Sequence, residues 1–457
     1  MSVYRKIRIL PIIVLLLITN NLTGQNLEGD WYGTLNAGNQ SLRLRFSVQA
    51  DTSGKYDATL DIFDQSAFGI PADSVIFKNN IFRIVISGIE YRGILERDSI
   101  KGVFKQNNHS FPLDLTNVNP GWLKRSQEPK EPFGYRSENV KFSNSKDNIT
   151  LAGTLTLPPG EGTFPAVILI SGSGPQNRDE EIMHHKPFLV LSDYLTKLGI
   201  AVLRFDDRGI GESEGDFSKA TTMDFVSDVE AAFDYLSTRN EIKKEKIGLT
   251  GHSEGGIVAS LVANSRNKCS FIVLLASPSL KGSDLILAQQ EMIARASGVP
   301  EEDIRDYRKL NESIMEVIDR EKDVSLLERV ISEMIISVSS GVVDETTALQ
   351  HAKKFTTPWM LFYLRYDPSI ALREVNIPIL AIYGKKDLQV PSGINKEAFN
   401  KNVILNNKEV LLIEIEGINH LMQNAVTGLP GEYSTIKETI SPEVLKVIGE
   451  WISKQVE

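Results

Sequence analysis

From Val140 to the C-terminus, compact apolar runs alternate with amphipathic stretches, and this rhythm constrains the fold more than any other feature of the chain. Phe164 to Ile170, Ile200 to Phe205, Ile247 to Thr250, Phe271 to Ala276, Ile377 to Tyr383 and Val410 to Ile415 read as strands. Helical stretches fall between most of them, at Pro187 to Leu198, Met223 to Leu236 and Gly256 to Ser265. Strands that are apolar throughout are buried on both faces, so the expected class is α/β, a mostly parallel sheet covered by helices on both sides. Val140 to Phe142 and Ile149 to Leu157 suggest an opening hairpin.

Two departures from this rhythm define further segments. Residues 26 to 119 alternate with period two, as in Leu42 to Gln49, and carry turn residues such as Asn79-Asn80. They predict a small antiparallel β domain, a barrel or a sandwich. Residues 120 to 138, charged and carrying Pro129 and Pro132, read as a linker, with the α/β domain running from 139 to 457. Between Pro278 and Val375 only helical periodicity is present. Ile304, Tyr307, Leu310, Ile314 and Val317 share a face, and Ser325 to Glu328 forms a capping box. A helical cap at about 280–372 is expected.

The first 25 residues read as a secretory signal peptide. Arg5, Lys6 and Arg8 precede the apolar run Ile9 to Ile18, which is too short for a confident membrane span. Cleavage near Gly24 removes three cations and takes the net charge from −9 to −12. An exported, periplasmic or extracellular protein follows, with an uncleaved anchor as the alternative. A pI near 5.4 argues against nucleic-acid and anionic-membrane partners. Cys269 is the only cysteine, so no intramolecular disulfide forms, and its apolar neighbours mark it as a core residue.

Gly251-His252-Ser253-Glu254-Gly255 lies between an apolar run and a helical stretch. Strand, sharp turn and helix are the context of a G-x-S-x-G nucleophile elbow, although a glycine-rich turn with an N-capping serine has the same letters. A serine hydroxyl needs a base, and the base needs an orienting acid. Asp387 follows the run Ile377 to Tyr383, and His420 follows Val410 to Ile415, in the order Ser, acid, His. Asp284 is the alternative acid. Backbone N–H groups of Glu254 and of Ser173, in the loop Ser171 to Pro175, are the expected oxyanion donors, with Gly172 or Gly174 as alternatives to Ser173.

Other conspicuous residues receive structural readings. His252 is expected to pack, His109 to sit in a solvated turn, and His184 and His185 to be solvated loop residues near the mouth of the site. His351 lies in the cap. The carboxylate of Glu254 is expected to offset the helix dipole. Asp206 to Ser213 contains G-x-G but lacks a full dinucleotide fingerprint, so a loop held by Asp–Arg pairing is expected.

From residue 140 onward the chain resembles the α/β-hydrolase superfamily, in particular bacterial carboxylesterases and serine-peptidase-like hydrolases. The elements are Ser171 to Pro175, Asp206 to Ser213, Gly251 to Gly255, Gly384 to Asp387 and Asn419-His420. One departure is Ser171, where a histidine is usual before the glycine. The resemblance implies acyl transfer to water: Ser253 as nucleophile, His420 as base, Asp387 as orienting acid, and no metal or organic cofactor. The expected activity is that of a carboxylesterase-type serine hydrolase acting on a small ester. The alternatives are a serine exopeptidase or amidase on short peptides, with Glu291 a candidate ligand for the substrate amine, and a ligand-binding protein on a hydrolase scaffold. Trp359, Phe362 and Tyr363 would suit an acyl or aryl group, with a plain core role as the equal alternative.

Overall fold

The computed structural model describes residues 27–37, 40–51, 54–65, 67–107, 109–121, 125–265, 269–339, 342–403 and 409–457. The signal peptide expected at 1–25 lies outside them. Two compact units divide between Pro120 and Gly121.

Among its described residues the first unit contains nine antiparallel strands: β1 (Gly29–Ala37), β2 (Gln40–Ala50), β3 (Tyr56–Ile62), β4 (Ala67–Pro71), β5 (Ser74–Lys78), β6 (Ile81–Ile86), β7 (Ile89–Glu96), β8 (Ser99–Gln106) and β9 (His109–Thr116). They form one sheet in the order β4-β3-β2-β1-β9-β8-β7-β6-β5. Trp31, Phe46, Leu60, Phe82, Tyr91, Ile100 and Leu113, contributed by seven of these strands, share one core. A sheet whose strands converge on a single core from one face must curl round it, so the barrel-or-sandwich expectation becomes a single strongly curved sheet. Gly102 permits the close packing: a Cβ there would lie 2.4 Å from the Tyr91 hydroxyl.

The second unit is an eight-stranded sheet with eleven helices, counted among the described residues. Its strands are β10 (Arg136–Asn144), β11 (Ile149–Leu157), β12 (Phe164–Ile170), β13 (Ala201–Phe205), β14 (Ile242–His252), β15 (Ile272–Leu275), β16 (Ile379–Gly384) and β17 (Val410–Ile415). The order is β10-β11-β13-β12-β14-β15-β16-β17, parallel except at the opening hairpin and its junction with β13. Helices are α1 (Pro187–Lys197), α2 (Thr222–Thr238), α3 (Glu254–Ser265), α4 (Gly282–Ala296), α5 (Glu301–Arg320), α6 (Val324–Val338), α7 (Glu345–Phe355), α8 (Pro358–Arg365), α9 (Ser369–Glu374), α10 (Ser392–Val403) and α11 (Pro442–Val456).

Alternate side chains of each buried strand feed two cores. Ala166, Ile168 and Ile170 of β12 pack with Val229, Phe233 and Val258 of α2 and α3. Val167 and Leu169 pack on the other face with Leu191, Val444 and Ile448 of α1 and α11. The chain leaves β12 toward β13 and returns on its other side at β14, a topological switch that opens a crevice at the carboxyl ends of the strands.

Between β15 and β16 the elements among the described residues are the helices α4 to α9. Ile314, Ile318, Leu327, Ile331 and Leu364 give this insertion its own core. Two details differ. Tyr307, expected on the buried face of α5, is 65% exposed. α6 is capped by Asp323, which accepts from Leu326 N–H at 2.9 Å, so the helix begins before the Ser325 box and Glu328 instead accepts from Thr356. An aspartate two residues upstream supplies the same capping oxygen one half-turn earlier.

The stretch expected as a linker is partly fastened down. From Gly121 it belongs to the second unit. Arg125 is buried and donates to the carbonyls of Met183, His184, Ser434 and Ile436. Gln127 bonds the backbone of Ile440 and accepts from Thr439. The guanidinium fork satisfies carbonyls of two loops at once, which a composition-based linker reading does not register.

Candidate functional site

Ser253 occupies the single residue between β14 and α3, at φ 51°, a left-handed conformation that a non-glycine residue adopts at a cost. Its N–H is held by the Leu275 carbonyl at 2.8 Å. The flanking glycines are obligatory. A Cβ on Gly251 would lie 2.1 Å from the Gly255 carbonyl oxygen, and one on Gly255 would lie 2.2 Å from that of Ile170. The turn is therefore a strained elbow at the strand end.

The structure brings Asp387 and His420 together across 33 residues of chain. His420 Nδ1 lies 2.8 Å from Asp387 Oδ2, and both side chains are buried. The other carboxylate oxygen of Asp387 accepts from the N–H groups of Gln389 and Val390, each at 2.8 Å. An acid fixed by two backbone donors presents its free oxygen to the ring in one orientation. Asp284, the alternative acid, is exposed in the first turn of α4.

Ser253 and His420 line one cavity of about 420 Å³. The cap helices α4 and α8 contribute Leu285, Ile286, Trp359 and Tyr363, and the loops add Met183, Val390, Leu421 and Tyr433. Trp359 and Tyr363 stack with centroids 5.2 Å apart. Phe362 stacks on Tyr366 and is not among the lining residues. Glu291 also lies elsewhere, engaged by Arg295 and Arg308.

The loop after β12 packs directly on the elbow: a Cβ on Gly172 would lie 3.2 Å from that of Ser253. Gly172 N–H is taken by Glu180 Oε1 at 2.7 Å, which removes it from the candidate oxyanion donors. Ser173 is fixed by its hydroxyl, which donates to Glu254 Oε2 at 2.9 Å. Beneath the loop, Asp207 accepts from Ser171 Oγ and Gln176 N–H, and burial pushes its carboxyl up to about 8.

Several structural readings are corrected. The Glu254 carboxylate is fully buried and accepts from Ser173, Thr222 and the Trp359 indole; burial raises its pKa against those donors. In the first turn of α3 it is thus also a hydrogen-bonded hub. His252 does more than pack: Nδ1 lies 2.8 Å from Glu180 Oε1 and Nε2 lies 2.9 Å from the His420 carbonyl. His185 is buried, not solvated; it bonds Thr439 and the Tyr433 carbonyl, and burial pushes its pKa down to about 3. The Asp206–Ser213 loop is held by Asp–Arg pairs as expected, though through outside partners, Arg178 to Asp206 at 2.6 Å and Arg208 to Asp228 and Asp147 at 2.7 Å. Asp207 pairs with no arginine there. Glu180 escaped the sequence reading altogether, since a glutamate in a polar loop carries no local signal of burial.

Comparison with known proteins relates the chain to hydrolases. An esterase of Thermotoga maritima, EstD, is 28% identical over 306 residues, 66% of each chain. A mouse peroxisomal succinyl-coenzyme A thioesterase is 26% identical over 170 residues, covering 37% of this chain and 36% of that one. The chain thus spans less than two thirds of either relative. Among solved structures, an esterase of Pyrococcus furiosus aligns at 15% identity with a TM-score of 0.44, over 75% of this chain and 96% of that one. The family model described as serine aminopeptidase, S33 (Hydrolase_4) matches residues 182–424, more than half of the chain and including Ser253, Asp387 and His420, and the chain belongs to that family.

Proposed function

We propose that the protein is a serine hydrolase that cleaves small carboxylic esters through an acyl-enzyme. Ser253 attacks the acyl carbon, His420 takes the hydroxyl proton and returns it to the leaving alkoxide, and Asp387 holds the ring with its other nitrogen free for that transfer. Water then attacks the acyl-enzyme by the same route. Backbone N–H groups of Glu254 and Ser173 receive the oxyanion, each worth about 100- to 1,000-fold in turnover. The observation that carries this reading is the 2.8 Å Asp387–His420 bond at the cavity that Ser253 also lines.

The lining favours an ester over an aminopeptidase substrate, although the family description names the latter. Among the lining residues the only carboxylate is Glu180, whose Oε1 is bound by Gly172 N–H and His252, while the apolar and aromatic walls suit an acyl or aryl group. The relatives named as an esterase and a thioesterase carry names for the cleavage of an oxygen ester and of a thioester. An exported location follows from the basic and apolar N-terminal segment.

The test is turnover of short aryl esters and of aminoacyl anilides by the parent protein and Ser253→Ala. Ester turnover that disappears in the variant supports the reading. Anilide turnover greatly exceeding ester turnover overturns the substrate class.

A further inference from the structure

A second histidine–carboxylate pair lies against the first. Glu180 and His252 are buried to within 1% and 5% of full occlusion, and the His252 ring sits 4.9 Å from that of His420. A backbone carbonyl only accepts, so His252 Nε2 donates to that of His420. Nδ1 faces a carboxylate oxygen that already accepts from Gly172 N–H. Both ring nitrogens therefore face acceptors, which is the pattern of an imidazolium. Burial alone would push His252 down, but the Glu180 charge, its hydrogen bond and the His420 carbonyl outweigh it and raise the ring above its ordinary value.

The connectivity of this pair is its distinguishing property. Gly172 belongs to the loop after β12, His252 to the end of β14 beside Ser253, and His420 to the loop after β17. One carboxylate oxygen and one ring join all three. Glu180 itself is held at φ 50°, and Met422, two residues beyond His420, at φ 61°. Non-glycine residues in that region are strained and persist where surrounding contacts over-determine them.

We propose that Glu180 and His252 are positioning residues, a buried ion-pair clamp that sets the oxyanion loop and the base-bearing loop in register around Ser253. The clamp rests on the assignment of Ser253 and His420 above. Both residues border the cavity, but their hydrogen bonds run to the backbone of Gly172 and His420, and the clamp acts through these. A displacement of about 1 Å between such groups can cost on the order of 100-fold in rate while leaving the acyl pocket intact. A packing role predicts something else: lost stability, with turnover per folded molecule unchanged.

Glu180→Gln, His252→Gln and the double variant, measured for kcat, KM and thermal midpoint on a short aryl ester, separate the two. Gln at 252 keeps an amide donor for the His420 carbonyl but loses the charge; Gln at 180 keeps one acceptor and loses the ion pair. The clamp predicts that each single variant loses about 10- to 100-fold in kcat, with KM within about threefold. It also predicts that the double variant is no slower than the slower single one, because a joined unit breaks once. Glu180→Ala should be slower than Glu180→Gln. Losses that multiply in the double variant, a KM effect with kcat intact, or activity that tracks only the folded fraction would overturn the inference. If the parent itself neither hydrolyses esters nor depends on Ser253, the assignment beneath the clamp fails and the clamp falls with it.

Discussion

The indole N–H of Trp359, on the cap helix α8, lies 2.9 and 3.0 Å from the two carboxylate oxygens of Glu254, the first residue of the helix that follows Ser253. The cap is therefore tied to the helix that follows Ser253 through a fully buried carboxylate. Ser173 and Thr222 donate to the same group, so one side chain gathers the loop after β12, α2 and the cap.

Trp359→Phe removes that donor and keeps an aromatic wall. A buried carboxylate deprived of one of its donors costs about 1–3 kcal/mol. Urea unfolding of Trp359→Phe should show a loss of that size, and Glu254→Ala a larger one, since it strands three donors. Unchanged unfolding midpoints in both would show that the contact carries no energy.

Arg125 should be one of the least replaceable cations of the second unit. Its guanidinium serves four carbonyls, and burial lowers its pKa to about 10. Arg125→Ala is expected to cost about 2–4 kcal/mol in unfolding free energy. Arg125→Lys should recover little of it, because a single ammonium cannot span the fork. Full recovery by lysine would contradict this account.

His185 gives the native state an acid sensitivity. Its folded pKa of about 3 lies below the ordinary 6.5 of imidazole, so as pH falls the unfolded chain takes up a proton that the native ring refuses. The stability this group contributes is complete above pH 6.5 and declines as pH falls from 6.5 toward 3, at most about 1.4 kcal/mol per pH unit. Unfolding free energies of the parent and His185→Gln, measured between pH 7 and 4, should converge as pH falls. Parallel curves would remove the prediction.

What the sequence revealed divides along a physical line. The α/β layering was legible because buried strands are apolar throughout, and the placement of Asp387 and His420 followed from their position just beyond such strands. Ser253 was legible because only glycines fit two residues either side of it. Glu180 was not, nor was the role of His252: a buried ion pair between residues 72 positions apart leaves no periodic trace. His185 and Arg125 were misjudged for a related reason, since polar residues in a Pro- and charge-rich context read as solvated until a long-range partner buries them. Tyr307 failed the opposite way, sharing a helical face with buried residues yet remaining exposed.

The most direct test of the central assignment is labelling by a fluorophosphonate, located by mass spectrometry of the modified peptide. A phosphonyl adduct should form on Ser253 in the parent, be absent in Ser253→Ala, and form at least 1,000-fold more slowly in His420→Ala, where no base removes the hydroxyl proton. An unlabelled Ser253 in the folded parent, or labelling undiminished in His420→Ala, would contradict the account.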